Sequence, residues 1–397
     1  MAIFDNENVR LDVLKERAFN YRWAEVPEGT IPLTAADPDY PAAPEIGQAM
    51  EEYIRGGYFS YTPKLGFPSF RRSIAEALKA RKGEDIDPEL ILPLDSAARA
   101  MYVAASAALQ PGDEMIVFDP VDYLFRESCL AAGGKAVLFP AKIRDGHIDL
   151  TELERYITPR TRMLGLCNPH NPFGTLYTAE DLERIMALCE KHDLIIMNDE
   201  IWSDIVYPEK PFRSIYSLGN ERCRRVLSVF GFSKSFGIAG LRVGCLYTTD
   251  PELFARAVEK SAVMTTAGGI ASICQVAGEA CVNKCYYWVD AFLEHLKGNR
   301  DYGYARLSAM PMIRPNLPQA TYMFYVDIRE TGMTGVKFTD FMQRKVQLAI
   351  VSGGEKFFGP GSEGHVRICF ATSRAILEEG LNRLERGLQM LIEEKKA

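Results

Sequence analysis

The 397-residue chain has no apolar run near the roughly 20 residues that a helix needs to cross a bilayer. Its opening, Met1-Ala2-Ile3-Phe4-Asp5-Asn6-Glu7, has no basic stretch followed by an apolar core and does not read as a secretory signal. It also lacks a basic excess. Lys+Arg number 46 against Asp+Glu 53, for a net charge of −7, and binding nucleic acid in general requires a cationic face to displace phosphate counterions. There is no internal repeat and no low-complexity tract. Histidine is scarce, at 5 residues; His170 reads as a loop residue beside a site and the others as surface or packing residues. The 9 cysteines are an odd number, scattered in apolar or helical contexts, and read as reduced thiols of a cytoplasmic protein. Cys281 and Cys285 share a helical spacing but have no ligand-type neighbours, so core packing is expected there rather than a metal.

What remains is an ordinary globular composition, 47% hydrophobic and 25% charged, long enough for two or three domains. Six short runs rich in Val, Ile, Leu or Met read as strands buried on both faces. They are Met115–Asp119, Ala136–Pro140, Met163–Cys167, Leu194–Asn198, Val226–Phe230 and Val243–Tyr247. Amphipathic stretches lie between them, and Thr178-Ala179-Glu180-Asp181 reads as a capping box opening a helix to about Lys191. Strand alternating with helix predicts an α/β fold with a mostly parallel sheet, whose ligands gather at the carboxyl ends of the strands. The last hundred or so residues read as a smaller α+β domain, with helices at Tyr286–Ala309 and Arg374–Lys395 around strands Tyr322–Ile328 and His365–Phe370. One long helix is expected near Gly269–Met310. The first 45 or so residues look too irregular to form a domain.

The chemistry concentrates in Phe232–Gly244. Lys234 sits among apolar and small residues directly after a strand, a setting that suits a nucleophilic amine. Arg242 offers a fork of donors matched to a phosphate. The strand Leu194–Asn198 runs into Asp199 and Glu200, and an aspartate there can pair with a cationic ring nitrogen. Cys167-Asn168-Pro169-His170-Asn171-Pro172-Phe173-Gly174 is a second strand end followed by a turn, with amide donors.

Taken in order, these segments resemble the fold-type-I pyridoxal-phosphate enzymes of the class I/II aminotransferase superfamily, from about Pro32 to the last helix. The resemblance implies a large pyridoxal-phosphate-binding domain over 46–290, a small C-terminal domain over 291–397, and a segment 1–45 packing on the small domain and active site. It implies that Lys234 forms a Schiff base with pyridoxal 5′-phosphate and later carries the substrate α-proton. Asp199 would pair with the pyridine nitrogen and Tyr123 would stack on the ring. Asn171 would bond the ring's phenolic oxygen and border the substrate. Ser233, Arg242 and the helix start Ser96-Ala97-Ala98 would hold the phosphate, with Tyr61 reaching it from the partner subunit of a homodimer. Arg367 would clamp the substrate α-carboxylate, and Thr34–Tyr40, with Ala36, would fold over the substrate. Small amino-acid and oxo-acid substrates follow, with no nucleic-acid or membrane partner.

Several positions depart from the family pattern. Ser96 stands where a glycine is usual, and Gly231 where many members carry a hydroxyl; the expectation is that the Ser96 hydroxyl replaces the missing one. Trp202 stands where many carry tyrosine, and offers only a donor N–H. Ala36 replaces a common glycine. Two reactions compete. Ser233–Gly244 resembles aminotransferases, while Cys167–Gly174, Leu296–Tyr302 and Gln319–Tyr322 resemble the cystathionine β-lyase-like branch, which eliminates a thiol from cysteine conjugates. Amino-group transfer is the leading expectation and β-elimination the alternative. A non-catalytic, regulatory protein is disfavoured by the presence of Lys234, Asp199 and Arg367.

Overall fold

The computed structural model describes residues 3–265 and 267–396; Met1 and Ala2 of the opening segment, Thr266 and Ala397 lie outside the described residues. In chain order the strands are β1 (Ile31–Leu33), β2 (Ile91–Leu94), β3 (Glu114–Asp119), β4 (Lys135–Pro140), β5 (Ile143–Arg144), β6 (His147–Ile148) and β7 (Thr161–Cys167). They continue with β8 (Ile195–Asp199), β9 (Val226–Gly231), β10 (Gly244–Tyr247), β11 (Arg314–Pro315), β12 (Met323–Asp327), β13 (Leu348–Ser352) and β14 (His365–Cys369). The chain divides into two units. One comprises Met1–Pro41, Asn171–Gly174 and Asp290–Ala397, the other Ala42–His170 and Thr175–Val289.

The larger unit is built on a seven-stranded sheet in the order β2-β10-β9-β8-β7-β3-β4. Strands β4, β3, β7, β8 and β9 run parallel, and β10 runs antiparallel to both β9 and β2. Each of the six apolar runs forms a strand. β4 differs from the expectation of burial on both faces. It lies at an edge, and its ends Lys135 and Pro140 are exposed. Strand β2 was not legible because Pro93 cannot donate to a ladder; the sheet accommodates it at the opposite edge, paired with β10 alone.

The capping box is present. Thr178 Oγ1 accepts from Asp181 N at 3.1 Å, and Asp181 Oδ2 accepts from Thr178 N at 2.9 Å, opening helix Ala179–Lys191. The long helix expected over Gly269–Met310 is two helices, Ser272–Lys284 and Tyr286–Ser308. Cys285 between them takes φ −112° and ψ 9°, outside the helical well.

The smaller unit has a five-stranded sheet, β1-β13-β14-β12-β11. β1 pairs with β13 in parallel, Ile31 opposite Leu348, so the N-terminal segment supplies a strand where only irregular structure was expected. The turn after β1 is fixed by a buried ion pair. Arg22 bonds Asp39 and the carbonyl of Asp37, and the Trp23 indole N–H donates to Asp39 Oδ1 at 2.7 Å. Tyr322 OH donates to the Ala36 carbonyl at 3.2 Å, and Tyr40 OH to the Phe4 carbonyl at 3.0 Å. Segment 36–40 is thus held by a guanidinium, an indole and two phenols, with Asp39 N donating to Ala371 O at 2.9 Å.

Removing one member of a buried pair strands the other's charge. Asp39→Ala is expected to lower unfolding stability by about 3–5 kcal/mol, whereas Trp23→Phe, which loses one donor, should cost about 1–2 kcal/mol. Denaturant titration of the two variants against the parent chain checks the ordering.

Candidate active site

In the larger unit the sequence-predicted residues converge on the carboxyl ends of the parallel strands. The register aligns Cys167 with Asp199 and Asp199 with Val229. A second row sets Gly244 against both Gly231 and Leu94, the residue from which the chain leads through Asp95 and Ser96 into helix Ala97–Ala108. An antiparallel strand starting beside the ends of parallel ones brings Arg242 and Gly244 to the same edge of the sheet as Lys234.

Asp199 is buried. Its Oδ1 accepts from Ile201 N at 3.0 Å, and its carbonyl accepts from Asn168 N at 2.9 Å. Burial pushes its carboxyl up to about 7; Ile201 N–H and the Lys234 charge pull against this, while Asp122 and Glu200 add to it. Lys234 lies on the short helix Phe232–Phe236 that leaves β9, half-buried, with Nζ 5.8 Å from the centre of the Trp202 ring. Trp202 therefore gives the ammonium an aromatic face in place of a hydroxyl. The helix is pinned by Ser235 Oγ, which donates to Asp204 Oδ2 at 2.8 Å, and is closed by Gly237 at φ +66°. Ser233 is half-buried, and Arg242 is exposed with a left-handed backbone at φ +54°.

The helix Ala97–Ala108 points its start at this cluster. The N–H groups of Ala97 and Ala98 have no carbonyl one turn back, as at any helix start, the kind of end that favours an anion. Two glycines make this approach possible. A Cβ on Gly244 would lie 2.5 Å from both Ala97 N and Ser96 C, and one on Gly231 would lie 2.9 Å from Ala97 Cβ and from Ile201 Cδ1. Gly231 has an ordinary extended backbone, φ −139° and ψ 146°, so space and not conformation demands the glycine. This accounts for the departure at that position. The Ser96 hydroxyl has two partners within the protein. It accepts from Arg99 N at 3.0 Å as the helix cap and donates its hydrogen to Asp95 Oδ1 at 3.0 Å.

Tyr123 opens helix Leu124–Ala131 and is 43% exposed. Tyr61 does not join the cluster: it is 94% exposed, in a coil with Tyr58 at 84% and Phe59 at 62%. His170 is fully buried and held neutral, its pKa pushed down to about 3 by burial, so it packs rather than titrates.

In the smaller unit, Arg367 on β14 lies opposite Tyr325 of β12 and Val351 of β13. It is buried, its Nη1 donates to Asn171 Oδ1 at 3.3 Å, and its guanidinium sits 4.9 Å from the Phe358 ring centre. Asn171 is fixed from behind by Gly174 (φ +65°), whose carbonyl accepts from Gln319 N at 2.8 Å and Ala320 N at 3.0 Å. A Cβ on Gly174 would meet Pro318 Cβ at 2.7 Å. Ala36 is buried beneath the Tyr322 hydroxyl.

Sequence reasoning missed one group. Lys82, Glu84 and Glu200 are buried together behind Asp199 in the larger unit. The only signal was the second carboxylate of Asp199-Glu200.

Residues 28–384 match the family model described as aminotransferase class I and II. An aspartate aminotransferase of Pyrococcus abyssi is 29% identical over 364 residues, covering 90% of this chain and 92% of that protein. A cystathionine beta-lyase of Bacillus subtilis is 28% identical over 363 residues, with 90% and 92% covered. The crystal structure of an aromatic aminotransferase from Pyrococcus horikoshii superposes with a TM-score of 0.86 at 30% identity, covering 92% of this chain and 97% of that one.

The contact of Gly231 with Ala97 predicts a compensating pair. Gly231→Ala is expected to cost about 1–3 kcal/mol by overpacking, and Ala97→Gly in the same chain to recover most of it. Chemical denaturation of the two single variants and the double variant gives the coupling directly.

Proposed function

The chain belongs to the class I and II aminotransferase family as a pyridoxal 5′-phosphate-dependent enzyme of fold type I that transfers amino groups, and we propose that Lys234 is the amine on which its catalysis turns. The observation that supports this most directly is the placement of Lys234 over Trp202, in a strand-end cluster where its charge acts on buried Asp199.

The residues present fit the cofactor: an amine at the end of β9, a buried acid at the end of β8, and a helix start whose approach is kept clear of side chains by Gly231 and Gly244. When bound, pyridoxal 5′-phosphate supplies an electron sink for the charge left at the substrate Cα. Lys234 Nζ would hold the cofactor and carry the substrate α-proton. Asp199 keeps a proton on the pyridine nitrogen. Ser233, Arg242 and the helix start Ser96-Ala97-Ala98 hold the phosphate, Tyr123 stacks on the ring and Trp202 packs beside it. Arg367 binds the substrate carboxylate as a planar pair. Asn171, which accepts from Arg367 through Oδ1, would bond the ring's phenolic oxygen.

By the same resemblance, 46–290 would be the cofactor-binding domain and 291–397 the small domain, and Ala36 in segment 1–45 would border the substrate. A homodimer is supported by Tyr58, Phe59 and Tyr61, three exposed aromatics in one coil, of which Tyr61 would serve the partner's phosphate. A cytoplasmic location is in keeping with nine free thiols, eight of them buried. Among the described residues no helix is long and apolar enough to cross a membrane. The second reading, β-elimination from cysteine conjugates, is favoured by one observation, the 28% identity to a cystathionine beta-lyase.

The deciding experiment incubates the cofactor-loaded protein with a panel of amino acids, L-cystathionine among them, with and without an oxo-acid acceptor. New amino acid that depends on the acceptor, without thiol, is the expected result; thiol, pyruvate and ammonia without an acceptor would establish the lyase instead. In either case Lys234→Ala should lower turnover by more than about 10³-fold.

Asp199 also makes a pH prediction. Its folded pKa is raised, so in the cofactor-stripped protein its contribution to stability is intact below the unfolded value and is lost as pH rises toward about 7. The loss amounts to about 4 kcal/mol at about 1.4 kcal/mol per unit. Stripped Asp199→Asn protein should therefore match the parent near pH 4 and exceed it in stability at pH 8, as read by denaturant titration at both values.

A further inference from the structure

Three ionisable groups are buried in the larger unit without a place in the chemistry above. Lys82 ends helix Pro68–Lys82, Glu84 follows it, and Glu200 follows Asp199. Their side chains are 3%, 0% and 0% exposed. Lys82 Nζ lies 2.6 Å from Glu200 Oε2, 3.3 Å from Glu84 Oε1 and 3.0 Å from Tyr247 OH. Asn198 Nδ2 donates to Glu200 Oε1 at 2.9 Å and Ser214 Oγ donates to the same atom at 3.1 Å. Tyr247 OH donates to Glu84 Oε2 at 2.8 Å.

One cation faces two carboxyl groups, so the cluster is neutral only if one of the two keeps its proton. The donors decide which. Lys82, Asn198 and Ser214 all converge on Glu200, which is thereby the anion. Burial and the neighbouring Glu200 push the Glu84 carboxyl up to about 8, against the pull of Lys82, so it is the acid at neutral pH. The other charged groups facing the cluster are Asp204, itself 3.6 Å from Arg81, and Asp199; Asp199 in turn faces Asp122 and Lys234.

Burying such a cluster adds little stability, since apolar side chains of the same volume serve as well or better. What it does do is local. Asn198 and Glu200 flank Asp199 and are bonded to each other, Asn198 is tied to Ser228 Oγ at 2.9 Å, and Glu200 N donates to Val229 O at 3.0 Å. The backbone on either side of Asp199 is clamped, and a fixed negative charge stands one residue away.

We infer that the buried cluster of Lys82, Glu84 and Glu200 makes Glu200 a positioning residue, which holds Asp199 in place and supplies the negative field that keeps a proton on the cofactor's ring nitrogen. Lys82 fixes Glu200 as the anion, and Glu84 carries the proton that keeps the cluster neutral. The inference rests on Asp199 as the partner of that nitrogen.

The test uses holoenzyme loaded with pyridoxal 5′-phosphate labelled with nitrogen-15 in the ring. Two quantities are read at pH 7, the chemical shift of the ring nitrogen and the dissociation constant of the cofactor. Glu200→Gln is expected to move the shift toward the unprotonated value and to weaken cofactor binding about tenfold, while Glu84→Gln, which replaces a neutral group by a neutral group, changes neither. A Glu200→Gln spectrum that overlays the parent's, or a Glu84→Gln shift as large as that of Glu200→Gln, overturns the inference, because a merely structural role would weigh on both alike. Should Glu200→Gln fail to fold, the apolar pair Lys82→Met with Glu200→Leu takes its place, and an unmoved shift there refutes the inference equally. Asp199→Asn separates the two levels. If it leaves the ring nitrogen protonated as in the parent, the role of Asp199 itself falls, whatever the cluster does.

Discussion

The contact on which the site depends is the meeting of a helix start with two strand ends that lack side chains. Helix Ala97–Ala108 can bring its unpartnered N–H groups to the carboxyl edge of the sheet only because Gly231 and Gly244 present bare backbone at closest approach. A single Cβ at Gly244 would intrude to 2.5 Å on the peptide joining Ser96 to Ala97. The start of helix Ala97–Ala108, the exit of β9 into the Lys234 helix and the entry of Arg242 into β10 are all organised around that clearance. Ser96 caps the helix at that point.

Electrostatics takes over where packing stops. The larger unit buries Asp199, Glu200, Glu84, Asp204 and the Lys82 side chain, an arrangement whose desolvation is offset by the Lys82 ion pairs and by convergent donors such as Asn198, Ser214, Ser235 and Tyr247. The smaller unit solves a similar problem with arginine. Arg22 is neutralised by Asp39, whereas Arg367 has an amide and an aromatic face among its partners.

Much of this was legible in the sequence, and for definable reasons. The strands of the large sheet were visible because burial makes them nearly continuous apolar runs, and Thr178 and Asp181 announced a helix start through their spacing. Motif order pointed to Lys234, Asp199, Asn171 and Arg367. Other features have no local signature. β2 hides behind Pro93, and β1 is three residues whose identity as a strand comes from β13, more than three hundred positions later. The break at Cys285 lies inside a continuous helical pattern. Glu84 and Lys82 look like solvated charges until the fold brings Glu200 and Tyr247 to them. The glycine at 231 read as a missing hydroxyl, and only the position of Ala97 reveals it as a steric requirement.

The register of β9 and β10 carries a consequence for the chain that joins them. Gly231 and Gly244 face each other across the ladder, so the segment between them is a closed loop whose two ends are fixed to one another. Sliding the strands by one residue would turn every side chain of β10 to the opposite face and carry Gly244 away from Ser96. The segment 232–243, which carries Lys234 and Arg242, thus leaves the sheet and returns to it at a single glycine pair.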